Sequence, residues 1–201
     1  VGAGRLQPGD LQRRVDLLAT EGVEFRTGVE VGTDIAPADL QRDHDAIILS
    51  TGATKPRDLE IPGREAQGIH FAMEFLTQQN RKLAGDKHPA GRATPISAAQ
   101  KDVIVIGGGD TGSDCIGTSL RQGAKSVTNL ELFPQPPSDR PHHQPWPFWP
   151  MRLRTSSSHE EGGQRQWQVL TKAFEGARGK VQRLNTVTVE FDNSADGPPK
   201  I

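Results

Sequence analysis

A run of four β-branched residues that leads directly into a glycine-rich turn constrains this sequence more than any other feature. Residues 103–106 read Val-Ile-Val-Ile, and residues 107–112 read Gly-Gly-Gly-Asp-Thr-Gly. Such a continuous apolar run is typical of a parallel strand covered on both faces. The glycines fit the pattern G-x-G-x-x-G, in which a strand turns sharply into a helix. The segment therefore predicts the first half of a Rossmann-type βαβ unit in an α/β fold.

The glycine turn also predicts a ligand. Gly107 lets the strand turn sharply, Gly109 lets the backbone approach a pyrophosphate, and Gly112 lets the helix pack close to the sheet. The start of the helix adds unpaired N–H groups and a partial positive charge, and Asp110 and Thr111 can cap this first turn. The predicted residues for holding the pyrophosphate of NAD(P)H are Gly107, Gly108, Gly109, Asp110, Thr111 and Gly112. A tight turn in an unrelated α/β protein is the alternative.

The segment after the turn continues the same pattern. Gly123 ends a predicted helix, and residues 127–133 are the next strand candidate. Glu131 lies 22 residues after Gly109 (131 − 109), close to the spacing of about 20 expected for the acid that binds the adenosine ribose. A carboxylate there would favour NADH by repelling a 2′-phosphate, whereas a solvated Glu131 would not. A phosphate can also be held from the following loop, so the cofactor stays open between NADH and NADPH; the arginines available for this are Arg140, Arg152 and Arg154.

A second pattern of strand and small-residue turn lies upstream. Residues 46–49, Ala-Ile-Ile-Leu, predict another strand covered on both faces, and it leads into Thr51, Gly52 and Ala53. In flavoproteins with two dinucleotide-binding domains, small residues at such a strand end let the flavin and the backbone approach closely. Taken alone the pattern fits any strand end, but its place before a nucleotide-binding turn makes it a candidate FAD contact.

The other elements follow from periodicity and turn residues. We predict a helix from an N-cap at Asp10 to a stop at Gly22, short strands at residues 23–25 and 29–31, and a short helix at residues 37–41. Residues 71–83 have helical spacing, and residues 187–191 alternate like a half-buried strand. The chain begins at Val1 and ends just after that strand, which favours a piece of a longer protein.

Composition excludes several classes of function. The chain has 24 basic and 25 acidic residues with no block of like charge, which argues against a nucleic-acid partner. Cys115 is the only cysteine, which rules out an internal disulfide, and its place in the predicted helix favours a buried packing thiol. No apolar run approaches the roughly 20 residues that span a bilayer. We expect a cytoplasmic protein with no membrane partner and no metal site, since His142 and His143 lack further ligands at suitable spacing.

Several strings in the sequence are similar to the small (beta) subunits of glutamate synthase, a family of NAD(P)H-oxidising flavoproteins. The resemblance extends over nearly all of the chain after about residue 10. The strings that carry it are residues 12–18 (QRRVDLL), 51–59 (TGATKPRDL), 71–76 (FAMEFL), 107–115 (GGGDTGSDC), 129–132 (NLEL), 145–147 (PWP) and 156–162 (SSSHEEG).

The resemblance implies a two-dinucleotide-binding flavoprotein fold. Residues 1–65 would be part of an FAD-binding domain, and residues 66–201 an NAD(P)H-binding domain that is incomplete at its C-terminus. The implied role is electron input: a hydride passes from NAD(P)H to FAD, and the large (alpha) subunit then makes glutamate from glutamine and 2-oxoglutarate. No catalytic side chain is implied, because the cofactors carry the chemistry.

Two departures from the family pattern limit what the resemblance implies. The cysteines expected to bind 4Fe-4S clusters are absent, so clusters are expected only in a further N-terminal domain, and the first glycine motif for FAD is absent as well. A related NAD(P)H-dependent flavoprotein reductase with another acceptor, and a non-catalytic nucleotide-binding module, remain the alternatives.

Overall fold

The computed structural model describes residues 8–53, 55–85, 95–142, 144–147 and 152–191. The chain divides into two compact units, residues 1–54 and 55–201. The second unit includes residues before 65, because the amide of Phe174 donates a hydrogen bond to the carbonyl of Pro62 (2.8 Å). Compactness does not reveal which cofactor a unit holds, so the division into FAD and NAD(P)H domains stays a prediction.

The first unit contains two helices, α1 (Pro8–Thr20) and α2 (Pro37–Asp43). The predicted stop at Gly22 is confirmed: its φ is +98°, its amide bonds the carbonyl of Ala19, and the amide of Val23 bonds that of Leu18. This pair of bonds satisfies the last carbonyls of the helix. The predicted N-cap at Asp10 is wrong, because the helix begins at Pro8.

The strands predicted in the first unit are not formed. Residues 23–25 and 29–31 are not strands, apart from an isolated bridge between Val31 and Ile35. Residues 46–49 are not part of a strand, and Ile48 is 90% exposed where we predicted a strand covered on both faces. A strand needs hydrogen bonds from a neighbour, and the described part of this unit supplies none for these residues.

The second unit is built on a parallel sheet in the order β1 (Asp102–Ile106), β2 (Ser126–Leu130) and β3 (Gln164–Gln166). Helix α4 (Gly109–Arg121) connects β1 to β2, which pair in register from Asp102 opposite Ser126 to Ile106 opposite Leu130. The predicted order of strand, glycine turn, helix and strand is confirmed, and the fold is α/β. Strand β3 has only three residues and was not predicted.

Helices α3 (Ala72–Leu83) and α4 cover one face of this sheet. The core between them centres on Phe75, Ala98 and Cys115, all buried. Buried Gln78 fixes the chain beside this core, because its amide group both donates to the carbonyl of Ile96 and accepts from the amide of Ile96 (2.7 Å each). The helix predicted at residues 71–83 is confirmed.

The prediction that both faces of β1 are covered is wrong for one face. Val103 and Val105 pack against the helical core, whereas Ile104 and Ile106 on the opposite face are 49% and 43% exposed. Side chains alternate between the faces of a strand, so a layer on one side of the sheet covers only every second residue. The β-branched run correctly indicated a strand but overestimated its burial.

The rest of the unit follows β2. Helix α5 (Ser157–Glu160) precedes β3, and an antiparallel hairpin is formed by β4 (Val169–Ala177) and β5 (Lys180–Thr188). Only residues 187–188 of the strand predicted at 187–191 are part of β5, which ends at Thr188 and begins further upstream than predicted. No helix in the described ranges is long and apolar enough to cross a membrane.

Candidate functional site

The turn between β1 and α4 has the backbone that its glycines predict. Gly107 and Gly109 have φ angles of +94° and +78°, in the left-handed region that glycine adopts without steric cost. The amide of Gly107 donates to the carbonyl of Leu130 (2.8 Å), which extends the hydrogen bonding between β1 and β2 into the turn. The chain therefore reverses at the carboxyl edge of the sheet, where open α/β sheets bind their ligands.

Gly112 brings the first turn of α4 into close contact with this reversal. An ideal Cβ at Gly112 would lie 2.7 Å from the carbonyl oxygen of Gly107, closer than real Cβ contacts. No other residue fits there without moving the backbone. The predicted role of Gly112 in close packing of the helix is thereby confirmed.

The N-terminus of α4 is open. Gly108 is the N-cap residue and no side chain caps it, so the capping predicted for Asp110 and Thr111 is wrong. Among the described residues, no protein group accepts a hydrogen bond from the amides of Gly109, Asp110 or Thr111, and all three residues are exposed. These amides and the positive end of the helix are therefore available to an anion.

Asn129 is a positioning residue that the sequence did not identify. Its side chain is buried in the middle of the site, and Nδ2 donates to the carbonyls of Val105 (3.1 Å) and Gly107 (2.8 Å). The amide group thus fixes the end of β1 and the first residue of the turn from the adjacent strand. Its place one strand away from the turn gave no local signal.

Glu131 follows directly after β2 and lies against the turn. An ideal Cβ at Gly108 would overlap the Glu131 carboxylate, lying 2.5 Å from Cδ, so Gly108 leaves the space that this carboxylate occupies. The carboxylate has a protein partner, because its Oε1 accepts a hydrogen bond from Nη2 of Arg165 on β3 (2.7 Å). Sequence reasoning placed Glu131 near the turn but missed both Gly108 as its neighbour and Arg165 as its partner.

A polar cluster connects α4 to α5 beside this site. The Oγ atoms of Ser113 and Ser156 are 2.5 Å apart, and the amide of Ser156 donates to Nδ1 of His159 (3.2 Å), which closes a capping box at the start of α5. Burial lowers the pKa of His159 and the Arg165 cation lowers it further, while Glu131 opposes them. A neutral imidazole suits this cap, because Nδ1 must be unprotonated to accept the hydrogen bond from the amide of Ser156.

The remaining candidate residues belong to other segments of the chain than the turn and the end of β2. Thr51, Gly52 and Ala53 are in the first unit, in exposed and unpaired backbone, with a φ of +70° at Gly52. Cys115 is buried as predicted, and burial raises the pKa of its thiol to about 11. Within the part of the chain that the structure describes, no group of three or more His, Cys, Asp or Glu side chains could hold a metal ion.

Comparison with known proteins matches residues 11–144 to the family model described as pyridine nucleotide-disulphide oxidoreductase. The chain is 48% identical over 181 residues to a protein of Mycobacterium tuberculosis named glutamate synthase [NADPH] small chain, covering 90% of this chain and 37% of that protein. It is 39% identical over 193 residues to the small chain of Bacillus subtilis, covering 92% and 39%.

A longer relative, named glutamate synthase [NADH], comes from Schizosaccharomyces pombe. It is 47% identical over 196 residues, which cover 93% of this chain and 9% of that protein. The chain thus spans less than half the length of each of these relatives. The similar identities to proteins named for NADPH and for NADH leave the choice of nucleotide open.

Proposed function

Because the chain belongs to the pyridine nucleotide-disulphide oxidoreductase family, we propose that its second unit binds NAD(P)H with the pyrophosphate at the turn of residues 107–112. The open N-terminus of α4 carries the proposal. The chain reverses here with backbone angles that only glycine adopts easily. The exposed amides of Gly109, Asp110 and Thr111 come next, and none of them has a protein acceptor among the described residues. Backbone N–H groups and the helix dipole favour a phosphate at such a place.

The residues of the site fit this dinucleotide. An ideal Cβ at Gly109 would meet nothing within 4 Å, which leaves open space for a ligand beside its backbone. Asn129 and Gly112 hold the turn against the sheet, and Glu131 offers carboxylate oxygens that can accept hydrogen bonds from ribose hydroxyls. NAD(P)H, when bound, supplies the hydride, and the chain supplies position and electrostatics without an acid or base of its own.

For FAD we propose Thr51, Gly52 and Ala53 as contacts in the full-length protein. Their small side chains and the positive φ of Gly52 suit close approach of a flat ring, and nothing lies within 4 Å of an ideal Cβ at Gly52. The described residues do not fit an iron–sulfur cluster, because Cys115 is the only cysteine of the chain and is buried. No cluster is therefore assigned to this chain.

We propose that the protein that carries this chain is the electron-input part of glutamate synthase. The identity to the proteins named glutamate synthase small chain supports this role over nearly the whole chain. The partner would then be the large (alpha) subunit or domain that makes glutamate from glutamine and 2-oxoglutarate. A cytoplasmic location also remains a prediction.

Two glycines, one at the start of α4 and one just after its end, give a matched experiment. Gly109 and Gly123 lie at opposite ends of the helix, with φ angles of +78° and +82°, and an ideal Cβ at either meets nothing within 4 Å. Alanine at each position therefore imposes the same strain of about 1–2 kcal/mol, but only Gly109→Ala places a methyl group where the pyrophosphate would lie. In the full-length protein, titration calorimetry should show at least tenfold weaker NAD(P)H binding for Gly109→Ala and wild-type affinity for Gly123→Ala. Equal affinities for the two variants would contradict the proposal.

Flavin reduction separates the alternatives. Anaerobic addition of NADH or NADPH to the FAD-loaded protein should bleach the flavin absorbance if the protein is a reductase. A protein that binds the nucleotide tightly but never reduces the flavin is the non-catalytic module. A reductase that passes its electrons to other acceptors but not to a glutamate synthase large subunit is the related flavoprotein.

A further inference from the structure

The Glu131 carboxylate beside the turn is one half of a shielded ion pair. Nη2 of Arg165 lies 2.7 Å from its Oε1, and each of the two side chains is 19% exposed. Charged hydrogen bonds of this length are strong, and reduced contact with water strengthens them further. The pair therefore presents a carboxylate whose negative charge is already balanced by a neighbouring cation.

Arg165 has contacts that do not depend on Glu131. Its Nη1 donates to the carbonyl of Arg154 (3.1 Å), and its guanidinium lies over the ring of Trp167, 5.0 Å from the centroid. Its Nε is buried and has no hydrogen-bond partner among the described residues. Removal of the Glu131 charge would leave the guanidinium in place, with unused donors and an unbalanced positive charge.

We propose that Arg165 is a specificity-determining residue, which through its pair with Glu131 selects a nucleotide with a free 2′-hydroxyl. This inference rests on the proposed binding of a nicotinamide dinucleotide at the turn. With the pair closed, Glu131 accepts hydrogen bonds from the ribose and Arg165 is occupied. A 2′-phosphate would bring about 1.5–2 negative charges next to a carboxylate and to a cation that is already neutralised.

Removal of the Glu131 charge reverses the preference for a free 2′-hydroxyl. If Glu131 is replaced by a neutral residue, the planar guanidinium of Arg165 can bind a phosphate through two parallel donors. His159 is an ionisable group close to both charges, and burial and Arg165 lower the pKa of its imidazole while Glu131 raises it, so removal of the Glu131 charge further favours the neutral imidazole. The net charge of the Glu131–Arg165 pair thus changes from zero to +1 in Glu131→Gln, and the site then prefers the phosphorylated nucleotide.

Binding of two fragments that lack the nicotinamide tests the inference without turnover. Calorimetry on the full-length, FAD-loaded protein gives the dissociation constants of ADP-ribose and 2′-phospho-ADP-ribose and their ratio. We expect the wild type to bind ADP-ribose at least tenfold more tightly, and Glu131→Gln to shift the ratio at least tenfold toward the phosphorylated form. This gain should weaken with added salt and disappear in the double variant Glu131→Gln/Arg165→Met.

Glu161→Gln is the matched control. Glu161 pairs with Arg121 between α5 and α4, away from the turn, so its loss should leave the ratio unchanged. If Glu131→Gln does not melt cooperatively, Glu131→Ser replaces it with a smaller polar side chain beside Gly108.

The outcomes separate this inference from the proposed function. An unchanged ratio in a folded Glu131 variant, a wild type that prefers the 2′-phosphate, or a gain that survives loss of Arg165 would overturn the role of Arg165 alone. Failure of the wild type to bind either fragment would overturn the proposed function, and this inference with it.

Discussion

Gly112→Ala perturbs the close backbone contact between α4 and the turn. The new Cβ would start 2.7 Å from the carbonyl oxygen of Gly107, and ordinary contact begins at 3.4 Å, so the backbone must move by about 0.7 Å (3.4 − 2.7). Crowding of this kind costs about 1–3 kcal/mol, and the higher helix propensity of alanine offsets about 1 kcal/mol of this cost. We expect the free energy of unfolding to fall by about 0–2 kcal/mol.

The effect of this substitution on binding should be larger than its effect on stability. If the turn is displaced so that one hydrogen bond to a phosphate is lost, the free energy of binding weakens by about 1.5–3 kcal/mol. This corresponds to a tenfold or greater loss of affinity. Urea denaturation measures the stability, and calorimetric titration with NADH and NADPH measures the affinity.

Gly117→Ala in the same helix is the control for Gly112→Ala. Its Cβ would meet Oγ of Ser158 at 2.6 Å, which is a side-chain atom of α5 and not part of the turn. We expect a comparable change in stability and an unchanged affinity. Wild-type nucleotide affinity in Gly112→Ala would refute the idea that close contact between α4 and the turn shapes the binding site.

Three further substitutions test the structure around the site. Asn129→Leu removes the two hydrogen bonds that hold the end of β1 and the turn, and should lower the free energy of unfolding in urea by about 1–3 kcal/mol. His159 has a lowered pKa in the folded chain, so the unfolded chain binds its proton first and stability should fall as the pH drops below about 6.5. Thermal melts of the wild type and of His159→Gln at pH values below about 6.5 should show the loss of stability that is due to His159 only in the wild type. Gly63→Ala places a methyl group against the carbonyl of Phe174 at a φ of +79°, and should lower the melting temperature more than Gly179→Ala, which has a similar φ and open space.

The sequence was sufficient where the determining interactions are local. A β-branched run followed by spaced glycines predicted β1, the turn and α4, because strand preference and positive φ are properties of single residues. Gly123 likewise marks the end of α4, where its amide and that of Ala124 bond the last helical carbonyls. These elements agree with prediction within a few residues.

Prediction from the sequence failed where residues far apart along the chain determine the local structure. Residues 46–49 have the composition of a buried strand but no pairing partner in the described part of the first unit, and Leu49 is 83% exposed. The environment of Glu131 depends on Arg165, 34 residues later, and on Gly108, whose missing side chain makes room for the carboxylate. Asn129 reaches its acceptors across the sheet. None of these relations follows from a spacing along the chain.

Backbone amide exchange tests most directly whether the start of α4 holds the pyrophosphate. Hydrogen exchange of the full-length protein should be measured by mass spectrometry with and without ADP-ribose. We predict that saturation with ADP-ribose slows exchange at residues 109–111, whose amides have no protein acceptor among the described residues, and leaves the other end of the helix near Gly123 unchanged. Saturation with ADP-ribose and unchanged exchange at residues 109–111 would contradict this placement of the ligand.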